Sequence, residues 1–194
     1  MKPTAYFGTM TQLKSKAAGA LIFIGATQFI ICMVIAEALY PGYSVSGNFI
    51  SDLGVGDVAI IFNSSVFILG LTIVASVYFL MQTYPYKLLL TFLILCGIGA
   101  MGVGIFPETY GIIHTIVSLI TFLFGALSAI TSYKIQKPPL SHFAVILGLM
   151  SLIALVLFGA GIYLGLDRGG MERMIAYPTL LWAIGFAGSL IEKS

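Results

Sequence analysis

Charge is what this sequence has least of. Only 8% of its 194 residues are Asp, Glu, Lys or Arg, against roughly 25% in an average soluble domain. With 59% of the chain hydrophobic, a soluble domain of this size lacks the interior to hide so much apolar surface. Cysteine is scarce as well. Cys32 and Cys96 both lie within apolar stretches, which argues against a disulfide framework or thiolate metal site and for small packing residues. The two histidines, His114 and His142, fall near opposite ends of the spans assigned below. Zinc needs three or four His, Cys or carboxylate ligands, so no metal is expected. Period-two alternation is missing, which excludes a β-barrel. No cofactor and no nucleic-acid partner are implied.

What the sequence does have is long apolar runs, several at least as long as the ~20 residues that cross a hydrocarbon core. The expected fold is all-α: a polytopic bundle of six transmembrane helices forming a single integral membrane domain. A polar lead, Met1 to Lys16, carries Lys2, Lys14 and Lys16. The spans then run roughly 17–39, 58–81, 88–106, 110–133, 142–166 and 174–191. The first resembles a signal peptide with a small-x-small site at Ala36-Glu37-Ala38. Its apolar run exceeds the ~7–15 residues of a signal h-region, so a retained helix is expected.

Six spans put the seven lysines on one side, with Glu192. The other side takes Arg168 and Arg173 together with Glu37, Asp52, Asp57, Glu108, Asp167 and Glu172. A seven-to-two split of Lys and Arg predicts cytoplasmic N- and C-termini in a cell membrane. The acid asymmetry is not part of that rule and needs its own explanation.

The longest polar break, Pro41 to Asp57, reads PGYSVSGNFISDLGVGD. Its Gly and Pro density prevents a regular helix, and a loop of this length is often functional. Around it the sequence gathers Glu37, Asn63 early in span two, Glu108 after Phe106-Pro107, His114 just inside span four, and Asp167, Arg168, Glu172, Arg173 and Tyr177 at the last corner. Ionisable groups near hydrocarbon are costly and usually face the bundle interior. In span four, His114, Ser118, Thr121, Gly125, Ser128 and Ser132 recur at steps of three and four, which places them on one helical face. That face reads first as a close-packing seam and second as a polar track leading inward from His114.

Several motifs are set aside. Gly97-Ile98-Gly99-Ala100-Met101-Gly102 matches the dinucleotide fingerprint, but no strand precedes it, so it reads as helix packing. Gly161 and Gly165 read likewise as a helix contact. Asn63-Ser64-Ser65 is a formal glycosylation sequon set too close to the bilayer for use. A hard-cation site from Asp52, Asp57 and Glu108 has no diagnostic spacing. A serine triad of Ser51, His114 and Glu108 requires a His–Ser contact that spacing alone does not give. Arg173 could instead pair with Asp52 or Glu108 and lock the loop onto span six, or join Arg168 in a phosphate site beside His114.

Asn48-Phe49-Ile50-Ser51-Asp52-Leu53-Gly54, Gly104-Ile105-Phe106-Pro107, His114 and Glu172-Arg173 resemble domain-of-unknown-function family 998. This is a group of archaeal and bacterial six-span membrane proteins, and the resemblance covers nearly the whole chain. The Ile-Ser-Asp-Leu-Gly element is also similar to a signature of eukaryotic six-span proteins of the DRAM and Sfk1 type, linked to autophagy and plasma-membrane lipid organisation. The resemblance singles out Asn48, Ser51, Asp52, Pro107, His114, Glu172 and Arg173 and implies a lipid theme. It implies no settled activity. A more remote comparison is with seven-span lipid hydrolases that use Ser, Asp and several His. This chain lacks the extra histidines, so their zinc chemistry does not carry over.

The expected function is a site on the acidic face that binds or remodels a lipid or polar headgroup. In its catalytic form His114 is the acid/base, Asp52 or Glu108 orients it, and Arg173 holds an anionic group. Asn48, Ser51, Asn63, Glu172 and Tyr177 are the remaining binding candidates. The alternatives are a structural or accessory subunit, with a membrane-protein partner or a second copy of the chain, and a small transporter, the weakest because no deep charge marks a midplane site.

Overall fold

A computed structural model describes residues 3–192, and nearly all of them lie in helices. The order is α1 (Pro3–Leu39), α2 (Ala59–Thr83), α3 (Lys87–Ile105), α4 (Ile112–Thr131), α5 (Leu140–Gly159) and α6 (Asp167–Glu192). Short 3-10 turns lie at Ser51–Gly54, Glu108–Tyr110 and Ser132–Ile135. Six helices are long and apolar enough to cross a membrane. The chain is a multi-pass membrane protein.

Successive helices pack side by side, and α6 closes the ring against α1. The bundle is apolar on both surfaces, as lipid requires. Ile24, Ile31, Ile60, Val156 and Leu181 point outward, while Phe29, Leu69, Leu93, Trp182 and Phe186 fill the centre. Small residues bring the backbones together. A Cβ on Gly70 would collide with the Gly97 carbonyl, so α2 and α3 touch main chain to main chain. Gly99 and Gly102 lie against Thr121 and Val117 of α4. The fingerprint-like glycines are therefore packing surface.

The structure departs from the expected spans in three places. The polar lead is not a separate segment: α1 starts at Pro3 and carries Lys14 and Lys16, while Met1 and Lys2 lie outside the described residues. Span five stops at Gly159, seven residues early. Gly161 and Gly165 are not a helix contact, because both sit in the following turn at φ 71° and 82° with open space beside them. Span six begins at Asp167, so the expected corner 167–173 is helical. Two consecutive glycines should weaken a helix start. Here the amides of Gly169 and Gly170 both donate to the Ser46 carbonyl, at 2.8 and 3.1 Å. The 41–57 loop thus satisfies amides that a helix N-terminus leaves without partners.

Candidate functional site

The 41–57 loop is folded by its own side chains. Asn48 takes the Ser44 amide on Oδ1 at 3.0 Å and donates from Nδ2 to Asp52 Oδ2 at 2.8 Å. The same Asp52 oxygen accepts the Phe49 amide at 3.0 Å. Asn48 and Asp52 therefore shape the loop backbone, a frequent use of Asx side chains in turns. Asn63, from α2, donates to the Gly54 carbonyl at 2.9 Å and ties down the loop's far end.

Helix α6 grips the other side. Arg168 Nε donates to the Gly47 carbonyl at 2.9 Å, and its guanidinium covers the Phe49 ring at 4.8 Å. Arg173 is only 4% exposed. It donates to the Asn48 and Gly169 carbonyls, to the Tyr43 hydroxyl at 2.7 Å, and to Glu37 of α1. The expected pairing of Arg173 with Asp52 or Glu108 is thus replaced by an ion pair with Glu37. The lock on the loop is present, but its acid comes from the end of α1. Both terminal nitrogens of Arg173 are thus engaged, which leaves only its buried Nε without a partner. Tyr43 donates in turn to the Phe49 carbonyl at 2.8 Å, and burial pushes its phenol up to about 12.

Ser51, Asp52 and Glu108 meet where the loop touches the α3–α4 corner. Ser51 Oγ donates to Glu108 at 3.4 Å. Burial, and then the neighbouring Asp52 carboxylate, push Glu108 above the usual carboxylate range. Asp57 does not join them. Among the described residues no three His, Cys, Asp or Glu side chains converge as a metal site would require.

His114 is held differently from the catalytic arrangement expected. Nδ1 faces the Phe106 carbonyl at 2.8 Å, and Nε2 faces Ser118 Oγ at 3.2 Å. A backbone carbonyl therefore orients the ring, where Asp52 or Glu108 had been expected. The serine beside it is Ser118, one turn along α4, instead of Ser51. Since the carbonyl only accepts, the neutral ring carries its proton on Nδ1 and offers Nε2 to the Ser118 hydroxyl.

Beneath the loop lies a cavity of about 100 Å³ between α1, α2, α3, α4 and α6, roofed by Ile50 and Ser51. Its walls are mostly apolar, including Phe62, Leu69, Ala100 and Trp182. Glu172 stands at the loop end, 6% exposed, and accepts the Ile50 amide at 2.5 Å. Ser118, Thr121 and Gly125 border the cavity from α4. The upper half of the α4 face therefore lines a space as well as packing against α3, while Ser128 and Ser132 below are fully buried.

A family model described as "Protein of unknown function (DUF998)" matches residues 23–189. The chain belongs to this family. No curated protein and no solved structure matches it. The DUF998 match takes in every candidate residue, from Asn48 to Tyr177.

In this DUF998 chain the candidates form three groups. Asn48, Asp52, Glu172 and Arg173 hold the loop to α6. Ser51 and Glu108 meet beside Asp52, and His114 pins Phe106 at the end of α3. Asn63 ties the far end of the loop to α2, and Tyr177, one turn beyond Arg173 and 37% exposed, borders the lock through Arg173. Glu37 stands out in the sequence as an acid flanked by apolar residues, but nothing local pairs it with Arg173, and nothing local marks Tyr43 as a lock partner. Ser118 and Thr121 were visible in the three-and-four spacing from His114. Thr179, which completes the polar lining, had no signal at all.

Proposed function

We propose that this membrane protein binds an amphiphilic molecule of the lipid class. The apolar part enters the central cavity, and the polar end sits under the 41–57 loop beside Ser51, Asp52, Glu108 and Glu172. One observation carries the reading: an apolar cavity that carries an acid, Glu172, and a hydroxyl, Ser51, at its loop end. Ligand sites have this composition, mostly apolar walls with a few placed polar groups. The cavity compares with engineered apolar cavities of about 150 Å³ that take a benzene ring. It suits the end of a chain or ring in place of a whole lipid. With the termini cytoplasmic, the loop would face the outer leaflet.

The test is mass spectrometry of what remains bound after purification from membranes. Ala176 lines the cavity, and Ala176→Leu would occupy part of it. Wild type should retain an amphiphile that Ala176→Leu loses while keeping its helix content. Equal retention by both proteins would overturn the reading.

A second reading rests on the Arg173–Glu37–Tyr43 lock. Side chains so fully engaged with the fold serve structure, and they suit an accessory subunit that presents a rigid loop to a membrane partner or a second copy. Co-purification of a stoichiometric protein partner with no bound amphiphile would favour it.

A further inference from the structure

The hydrogen-bond inventory of the cavity gives the chemical class of its ligand. Five polar side chains line it: Ser51, Ser118, Thr121, Glu172 and Thr179. Each hydroxyl has one hydrogen to give. Ser51 directs its hydrogen to Glu108, Thr121 to the Val117 carbonyl at 2.8 Å, and Thr179 to the Ala176 carbonyl at 2.8 Å. Ser118 donates to His114 Nε2, because Nδ1 is turned to the Phe106 carbonyl. Glu172 accepts the Ile50 amide and, when ionised, has no hydrogen to give. The Trp182 indole, also on the wall, donates away from the cavity to Ser132 at 2.9 Å. The Cys96 thiol is left, and a thiol is a weak donor.

The cavity therefore presents lone pairs and one carboxylate, with every strong side-chain donor committed elsewhere. Positive charge is held outside the cavity lining: the two terminal nitrogens of Arg173 face Glu37, Tyr43 and two backbone carbonyls, and only its buried Nε has no partner. A phosphate or carboxylate head placed here would meet an acid, Glu172, and no cationic side chain on the cavity wall. A buried carboxylate of this kind is stabilised by a charged donor.

We propose that the cavity selects amphiphiles whose polar end is a primary ammonium, which brings three donors and a positive charge to Glu172 and the hydroxyl lone pairs. This rests on the amphiphile-binding reading above and names its ligand class. It also replaces the expectation that Arg173 would hold an anionic group.

Three short probes with one apolar tail separate the heads: hexylamine, 1-hexanol and hexanoate at pH 7, titrated calorimetrically into the full chain in detergent. Ala176→Leu serves as the control for partition into the micelle. Wild type should bind hexylamine about tenfold more tightly than hexanol and hexanoate least. Glu172→Gln should remove the advantage of the amine over the alcohol. Ser51 follows Ile50, whose amide Glu172 accepts. Ser51→Ala therefore removes lone pairs at the Glu172 end of the cavity and should weaken the amine severalfold, which keeps the test open if Glu172→Gln does not fold. Hexanoate binding as well as hexylamine would overturn the proposal, as would an unchanged preference in both variants. If no probe binds while wild type still carries an amphiphile that Ala176→Leu loses, the ammonium assignment fails and the binding reading stands. If nothing binds and nothing is carried, both fail.

Discussion

Arg173 and Glu37 are 136 residues apart in the chain and form a buried ion pair where α6 meets the end of α1. Their side chains are 5% and 14% exposed, so neither charge can fall back on water. The pair explains part of the acid excess on this face. Glu37 answers Arg173, Asp52 caps loop amides, and Glu172 takes the Ile50 amide. These acids are parts of the loop's attachment, not a solvated rim.

Removing one member of the pair should destabilise strongly, because the other charge stays buried. Arg173→Met is expected to cost about 3–5 kcal/mol, read as a fall in the thermal midpoint in detergent. The double variant Glu37→Leu/Arg173→Met should recover a good part of that loss. A double variant no more stable than the worse single would show that the guanidinium bonds to the Asn48 and Gly169 carbonyls outweigh the ion pair.

Gly169 is where loop and helix come closest. A Cβ there would run into the Asn48 carbonyl and lie 2.8 Å from the Ser46 carbonyl, both rigid backbone. Gly169→Ala should push the loop off α6 and speed proteolysis within residues 41–57. Gly188, on the exposed side of the same helix, has open space beside it. There alanine should be neutral or stabilising by up to about 1 kcal/mol. Equal protease sensitivity in the two variants would refute the account of the contact.

The loop contact with the α3–α4 corner should weaken as pH rises. Burial and the Asp52 carboxylate raise Glu108, while Ser51 and Arg168 oppose them with smaller effects. A carboxyl whose folded value lies above its ordinary 4.5 favours the folded state in its protonated form. Its contribution is complete below the ordinary value and fades as pH climbs through the raised one. Amide exchange at residues 49–54 should therefore be slower near pH 4.5 than at neutral pH, after correction for intrinsic rates. Glu108→Gln should remove the difference. Tyr43 follows the same sign higher up: its contribution holds below 10 and fades toward 12.

Composition alone made the six spans legible, because nothing but a bilayer accommodates so many long apolar runs. The start of α6 was not legible. Asp167-Arg168-Gly169-Gly170 carries charge and two helix-weakening residues, and it becomes helical because Ser46, more than a hundred residues earlier, supplies the acceptor for its first amides. The partner of Arg173 was hidden for the same reason. Six acids were available on that face, and only the packing of α1 against α6 selects Glu37. The His114 face was half legible. Its spacing put Ser118 and Thr121 on one side, but small residues at such spacing line a cavity and a seam equally well.

His114 ties Phe106, at the end of α3, to Ser118 on α4, and its two nitrogens should differ in weight. Nδ1–H satisfies a backbone carbonyl at 2.8 Å, whereas Nε2 accepts a longer 3.2 Å bond at the cavity edge. Ser118→Ala should therefore be mild, about 1 kcal/mol. His114→Ala removes the donor and the packed ring together and should cost about 2–3 kcal/mol or more. His114→Asn can place an amide N–H near the position of Nδ1–H and should recover part of that loss. Thermal midpoints of the three variants in one detergent provide the comparison. If Ser118→Ala proves as damaging as His114→Ala, the serine side of the ring carries the weight, and the neutral Nδ1–H form assigned here is wrong. That result would also return a hydrogen to the cavity and remove one leg of the donor inventory that points to an ammonium ligand.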